Sequence, residues 1–243
     1  VVAAQHRALW IAALPGEALA RVVVQPENRG TAIGVLLPLL HVFRSDPDAR
    51  VVILPADHAV EDEDVLIRTL QRAFDLVDGG RRVLLLGMTP DFPDPTYGWI
   101  VSGEADEDGS RPVLAFREKP APPLARDLYL RGAHWSSFIL VTRARALLSI
   151  YERIAPALLR ALERVRAAGF PASPAGDADP GALESVYSEL PRLDFSRDLL
   201  EPAASQLRLL VVPPCGWTDL GTPDRIERWT GAGAAGRLEP AEI

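Results

Sequence analysis

Two wholly apolar runs of strand length, Val51-Val52-Ile53-Leu54 and Val83 to Met88, bracket a helix-length segment, Asp62 to Val77. A strand with no polar face cannot turn one side to water, so it belongs inside a sheet covered on both faces. The acidic first turn of the segment between them suits the positive end of a helix dipole. Strand, helix and strand joined by short connections predict an α/β fold: an open, mostly parallel sheet with helices on both faces. The alternation extends towards the start, with a strand at Val1 to Ala4, a helix at Ala8 to Leu14, a strand at Val22 to Val24 and a helix from Thr31, its N-cap, to Phe43.

After Met88 the rhythm changes. Thr89 to Pro95 reads as a loop, and Tyr97 to Val101 and Val113 to Phe116 as strands around a polar hairpin. A helix at Leu124 to Arg131, a strand at Trp135 to Val141 and helices at Arg143 to Ile154 and Ala157 to Ala168 follow. Phe170 to Gly181 reads as a linker. It precedes a helix at Leu183 to Leu190, a turn, a strand at Leu207 to Val212, a loop at Cys215 to Gly221 and a short helix at Pro223 to Trp229. The 243 residues suit one domain, 1–230, and a tail, 231–243.

A net charge of -7 argues against nonspecific nucleic-acid binding, so phosphates must be met locally by a few placed cations or a metal. A single cysteine, Cys215, excludes an internal disulfide and a multi-thiolate metal site. No apolar run reaches membrane-spanning length, which makes the cytoplasm the expected location.

In open parallel sheets ligands bind beyond the carboxyl ends of the strands. Four polar or glycine-rich strings fall there: Gln25 to Ala32, Pro55 to His58, Glu118-Lys119-Pro120 and Gly216 to Gly221. Lys119 is the only lysine among 26 lysine and arginine residues. A lone ammonium among guanidinium groups reads either as a chance surface residue or as a compact charge aimed at a phosphate or carboxylate. Asp57 and Asp219 read as turn residues or as two halves of a hard oxygen site suited to Mg²⁺. His58 is a ligand, a base or, more often in such loops, a hydrogen-bonded brace. The Gly30-Thr31 step is a plain helix cap or a set of free N–H groups facing an anion or a base edge. Gly98 is a strand irregularity or a place where a sugar reaches the backbone.

Taken in order, these strings resemble the sugar nucleotidyltransferases, specifically the mannose-1-phosphate guanylyltransferase group. The resemblance is carried by Gln25 to Ala32, Leu54 to His58, Leu86 to Pro90, Tyr97 to Ile100, Phe116 to Pro120, Trp135 to Phe138, Asp194 to Asp198 and Gly216 to Gly221. It implies a Rossmann-like nucleotidyltransferase sheet. It also implies transfer of a nucleotidyl group from a nucleoside triphosphate, GTP, to a sugar-1-phosphate, mannose-1-phosphate. By resemblance Asp57 and Asp219 hold Mg²⁺, and Lys119 neutralises the sugar phosphate. Gly98, Glu118 and Ser136 meet the sugar phosphate, while Gln25, Asn28, Gly30, Thr31 and Ala32 line the nucleotide pocket. A catalytically inactive nucleotide- or sugar-nucleotide-binding protein or fragment is the alternative.

The chain departs from the family pattern at four points. The glycine-rich, arginine-bearing loop that opens the family is not seen, so the first strand–loop unit is expected to be missing and an open edge or apolar groove to remain. Ser136-Ser137 follows Trp135 where an asparagine is usual, Thr96 precedes Tyr97-Gly98 where a glycine is usual, and Ile33 replaces a usual proline.

Overall fold

The computed structural model describes residues 1–14, 22–78, 82–167 and 180–231. Most of the expected linker and the expected tail lie outside them. The strands are β1 (Val2–Ala3), β2 (Val24–Gln25), β3 (Arg50–Ile53), β4 (His58–Ala59), β5 (Val83–Met88), β6 (Gly98–Ser102), β7 (Arg111–Arg117), β8 (His134–Arg143), β9 (Leu207–Val211) and β10 (Thr218–Asp219). The helices are α1 (Arg7–Ala13), α2 (Thr31–Ser45), α3 (Glu63–Asp78), α4 (Pro122–Leu130), α5 (Ala144–Ile154), α6 (Pro156–Ala167), α7 (Pro180–Glu189) and α8 (Pro223–Gly231).

Six strands form the central sheet in the order β3-β8-β5-β9-β7-β6, and β6 also pairs with β8. β5, whose six residues are all buried, feeds both faces. Val83 and Leu85 join a core beneath α2, α5 and α6. Leu84, Leu86 and Met88 join a second core with Ala73 and Val77 of α3 and Ala125 and Leu128 of α4. This period-two division places helices on both sides, as the apolar run requires.

The expectation of a mostly parallel sheet holds for strand direction but not for neighbouring pairs. β5 and β9 are parallel, whereas β3–β8, β5–β8, β6–β7, β6–β8 and β7–β9 are antiparallel. The long strand β8 lies between β3 and β5 and runs opposite to both. Consequently β3, β5, β6 and β9 still share one direction, and the loops leaving β3 and β9 open at one rim. Among the described residues β3 is hydrogen-bonded to β8 alone, and β1 and β2 form a separate parallel pair. Leu54, just beyond β3, is exposed.

Two local features set the rim. The β5–β8 register shifts between Leu85 and Gly87, and within the shifted part of β8 Phe138 has φ 59. Such an irregularity re-aims side chains at a sheet end. Six residues expected to be a turn, Phe195–Leu200, instead form a wide π-turned helix, started by Asp194, whose Oδ1 accepts the Arg197 N–H at 2.8 Å. Among the described residues no helix is long and apolar enough to cross a membrane.

Candidate active site

A cleft of about 800 Å³ opens at the rim, and Asp57, Gly98, Glu118, Lys119, Ser136, Thr31 and Asp219 all line it. The two aspartates arrive from opposite ends of the chain. β4 and β10 pair antiparallel with Asp219 opposite His58, and the Leu220 N–H donates to the Asp57 carbonyl at 2.7 Å. His58 is the brace of this junction: its Nδ1 accepts the Trp217 indole N–H at 3.1 Å, and the rings meet edge-on. Burial holds its pKa below the ordinary histidine value, against the pull of Asp57 and Asp219.

On the other wall, β6, β7 and β8 bring Gly98, Glu118 and Ser136 together. Gly98 is paired with Ser136. A Cβ at Gly98 would stand 2.7 Å from Glu118 Oε2 and 3.2 Å from Ser136 Cβ. The space a side chain would need there is filled by the Glu118 carboxyl, the buried Phe116 ring and Ser136. Burial, together with the negative charge of Asp194, pushes the Glu118 pKa up to about 7, in spite of Lys119, Arg197 and a hydrogen bond from Ser196. Lys119 stands at φ 45, a left-handed conformation uncommon for a side chain of this size. Its ammonium is exposed and lies 4.0 Å from Glu118 Oε1. Backbone strain of this kind persists where the surroundings impose it, and it concentrates at functional sites.

The expected nucleotide-binding residues are only partly gathered here. Thr31 lines the cleft, but it is the first residue of α2 and not its cap; its hydroxyl accepts the Phe195 N–H at 2.8 Å. Gly30 is the cap, at φ 95, with Leu193 so close that a Cβ would lie 2.2 Å from its carbonyl oxygen. Two of the N–H groups at this helix start are taken. Asn28 Oδ1 accepts the Gly30 N–H at 3.0 Å, and the Leu193 carbonyl accepts that of Ala32 at 3.1 Å. Ala32 is wholly buried. Gln25 packs its amide beside Gly34, and its Oε1 is buried without a hydrogen-bond partner among the described residues.

Sequence reasoning missed Arg225. Its Nη1 donates to both oxygens of Asp219, at 2.7 and 2.6 Å, and its Nη2 donates to Asp94 Oδ2 at 2.9 Å and to the Thr96 hydroxyl. The guanidinium lies 4.1 Å from the Tyr97 ring centroid. Burial opposes ionisation of Asp219, yet the Gly221 N–H and Arg225 hold its pKa below the ordinary value. Burial and the adjoining Asp219 push the Tyr97 hydroxyl up to about 12. The available signal was Arg225 itself, a cation six residues beyond Asp219 across the turn at Gly221.

This arrangement tests the expected metal pair. The Asp57 carboxylate is exposed, with no hydrogen bond or ion pair to it among the described residues. Asp219 already accepts from Arg225, Gly221 and Tyr97. No group of three or more His, Cys, Asp or Glu gathers in metal-holding range among the described residues. A two-aspartate cage does not fit Asp219 as it stands.

The sequence pattern of the nucleotidyl transferase family matches residues 15–231. The chain belongs to that family. Proteins named mannose-1-phosphate guanylyltransferase are among its relatives. It is 28% identical over 213 residues to the mannose-1-phosphate guanylyltransferase of Escherichia coli K12, covering 83% of this chain and 42% of that protein. It is 29% identical over 213 residues to the protein of that name from Sinorhizobium fredii, covering 87% of this chain and 40% of the other. Among solved structures, a Thermus thermophilus protein described as a mannose-1-phosphate geranyltransferase aligns with TM-score 0.72 at 27% identity, over 85% of this chain and 56% of that one. A Helicobacter pylori protein described as a mannose-6-phosphate isomerase shares the fold, with TM-score 0.67 at 21% identity over 81% of this chain and 73% of that one. The nucleotidyl transferase chain thus spans about two-fifths of the length of the curated relatives named here.

Proposed function

We propose that the cleft transfers a nucleotidyl group from a nucleoside triphosphate to a sugar-1-phosphate, with GTP and mannose-1-phosphate as the substrates. An oxygen of the sugar phosphate forms a bond to the α-phosphorus, the bond from that phosphorus to the bridging oxygen of the β-phosphate breaks, and pyrophosphate leaves. The observation that carries this reading is the meeting of Asp57, Gly98, Glu118, Lys119 and Ser136 in one cleft of about 800 Å³. The names of the relatives supply the nucleotide and the sugar.

The chain's own groups suit the two demands of such a reaction. Two phosphate-bearing substrates repel, at about 4 kcal/mol per unit charge pair 4 Å apart in a medium of effective dielectric 20. The exposed Lys119 ammonium offsets that repulsion on the sugar-phosphate side. Glu118, protonated through a good part of the neutral range, offers a donor as well as acceptors to sugar hydroxyls. Gly98 leaves the strand backbone open beside it.

The test is pyrophosphate release from GTP and mannose-1-phosphate. Lys119→Ala should lower the rate about 10²- to 10³-fold. Lys119→Arg should recover little of it, because a planar fork replaces a compact point charge. Unchanged turnover in Lys119→Ala would remove the lysine from the mechanism. The engaged state of Asp219 favours a second reading, a sugar-nucleotide-binding protein without turnover. Tight GTP binding with no pyrophosphate release would select it.

A further inference from the structure

We propose that Arg225 is a built-in cation that closes Asp219 to metal, so that any divalent ion taken by the cleft is held without that carboxylate. The inference deepens the proposed function and rests on it for its relevance to phosphate chemistry, but its measurement needs no turnover.

The geometry carries the argument. An ionised carboxylate accepts through two oxygens, and one Arg225 nitrogen lies 2.7 and 2.6 Å from the two oxygens of Asp219. The Gly221 N–H adds a third contact at 2.8 Å, and the Tyr97 hydroxyl a fourth. An ion such as Mg²⁺ demands near-octahedral oxygen ligands at about 2.0–2.1 Å, which puts it where the guanidinium nitrogen now donates. Arg225 is not free to swing aside. Its other terminal nitrogen is held by Asp94 and Thr96, its flat face lies on Tyr97, and its side chain is 8% exposed. Asp94 and Asp219 are themselves 12% and 15% exposed, so leaving either unpaired is costly. The sequence departure at Thr96 is part of the same device, because its hydroxyl accepts from Arg225. Across the junction Asp57 remains exposed and unengaged among the described residues, and it is the carboxylate left to face a cation.

The experiment is Mn²⁺ binding to the full chain without nucleotide, read by water-proton relaxation. Asp219→Asn should leave the Mn²⁺ affinity within about twofold of the starting protein, since that side chain is not a ligand. Arg225→Gln should bind Mn²⁺ about tenfold tighter, because Asp219 becomes available beside Asp57, and adding Asp219→Asn to it should cancel the gain. A drop in affinity in Asp219→Asn alone, or no gain in a folded Arg225→Gln, overturns the proposal. If Arg225→Gln does not fold, Asp219→Asn decides by itself. Pyrophosphate release is scored separately: these Mn²⁺ responses with no release leave the inference standing and remove the proposed function.

Discussion

The two walls of the cleft handle charge in opposite ways. On the β4–β10 side, Asp219, Arg225 and Asp94 form a closed set in which each charge meets its complement at 2.6 to 2.9 Å. On the β6–β7–β8 side, Lys119 is exposed with its nearest carboxylate oxygen 4.0 Å away, and that carboxyl is pushed towards its neutral form by burial. Apart from the exposed Asp57 carboxylate, the β4–β10 wall has satisfied its electrostatics internally and acts as scaffold. The other keeps an ammonium uncommitted, on a backbone held at φ 45. A surface that must receive a phosphate gains from the second arrangement, because a cation already paired has less to offer a ligand.

The contrast breaks first in stability. Removing one member of a buried ion pair typically costs 3–5 kcal/mol, and because this one opens into a cleft, Arg225→Ala should lower unfolding free energy by about 3 kcal/mol. Lys119→Gly should move the other way, raising it by about 1 kcal/mol as the left-handed residue is relieved, while abolishing turnover. Urea titrations of the two variants check both signs. Equal losses would mean that the walls do not differ in this respect.

Gly98→Ala sharpens the comparison at the receiving wall. The added methyl would meet Glu118 Oε2 at 2.7 Å and Phe116 Cζ at 3.1 Å. The carboxyl can swing away but the ring of the wholly buried Phe116 cannot, so a cost of about 1–2 kcal/mol is expected. The displaced Glu118 should raise KM for the sugar phosphate more than KM for the nucleotide. Equal changes in both would detach Gly98 and Glu118 from the sugar side.

The same division marks what the sequence made legible. β5 was readable to its ends, because a run of six residues that is wholly buried has no polar interruption to blur it. α2, α3 and α5 were placed as well, with observed bounds at most two residues from the expected ones. Strand pairing was not readable: an apolar run does not say which neighbours it takes, and β7 and β8, which run against the other four strands, leave β5–β9 as the one parallel ladder of the central sheet among the described residues. The helix at Phe195–Leu200 was read as a turn, because its wide winding leaves no 3.6-residue pattern. On the receiving wall, Glu118, Lys119, Gly98 and Ser136 sit in short strings next to strand ends, where local reading works. Arg225 reaches Asp94, 131 residues away, and no local pattern encodes that pairing.

The smallest expected effect concerns protons. Glu118 has an ordinary carboxyl value when unfolded, 4.5, and about 7 when folded, so the folded protein holds a proton that the unfolded chain has released between those values. The Glu118 contribution to stability must then fall as pH rises through that window, in contrast to a salt-bridged carboxylate, whose contribution is lost as pH falls. A full unit of pKa shift corresponds to about 1.4 kcal/mol, and solvent in the open cleft reduces what is realised, so a loss of about 1 kcal/mol from pH 5 to pH 8 is expected. Glu118→Gln should flatten this slope and leave the variant more stable than the parent at pH 8, while weakening sugar-phosphate binding. The scaffold wall should show no slope of the same sign, because Asp94 and Asp219 are held below the ordinary carboxyl range and their contribution is already complete at pH 5. Parallel denaturation curves at pH 5 and pH 8 for Glu118→Gln and the parent decide it: if both lose the same stability on raising the pH, the titrating group is not Glu118.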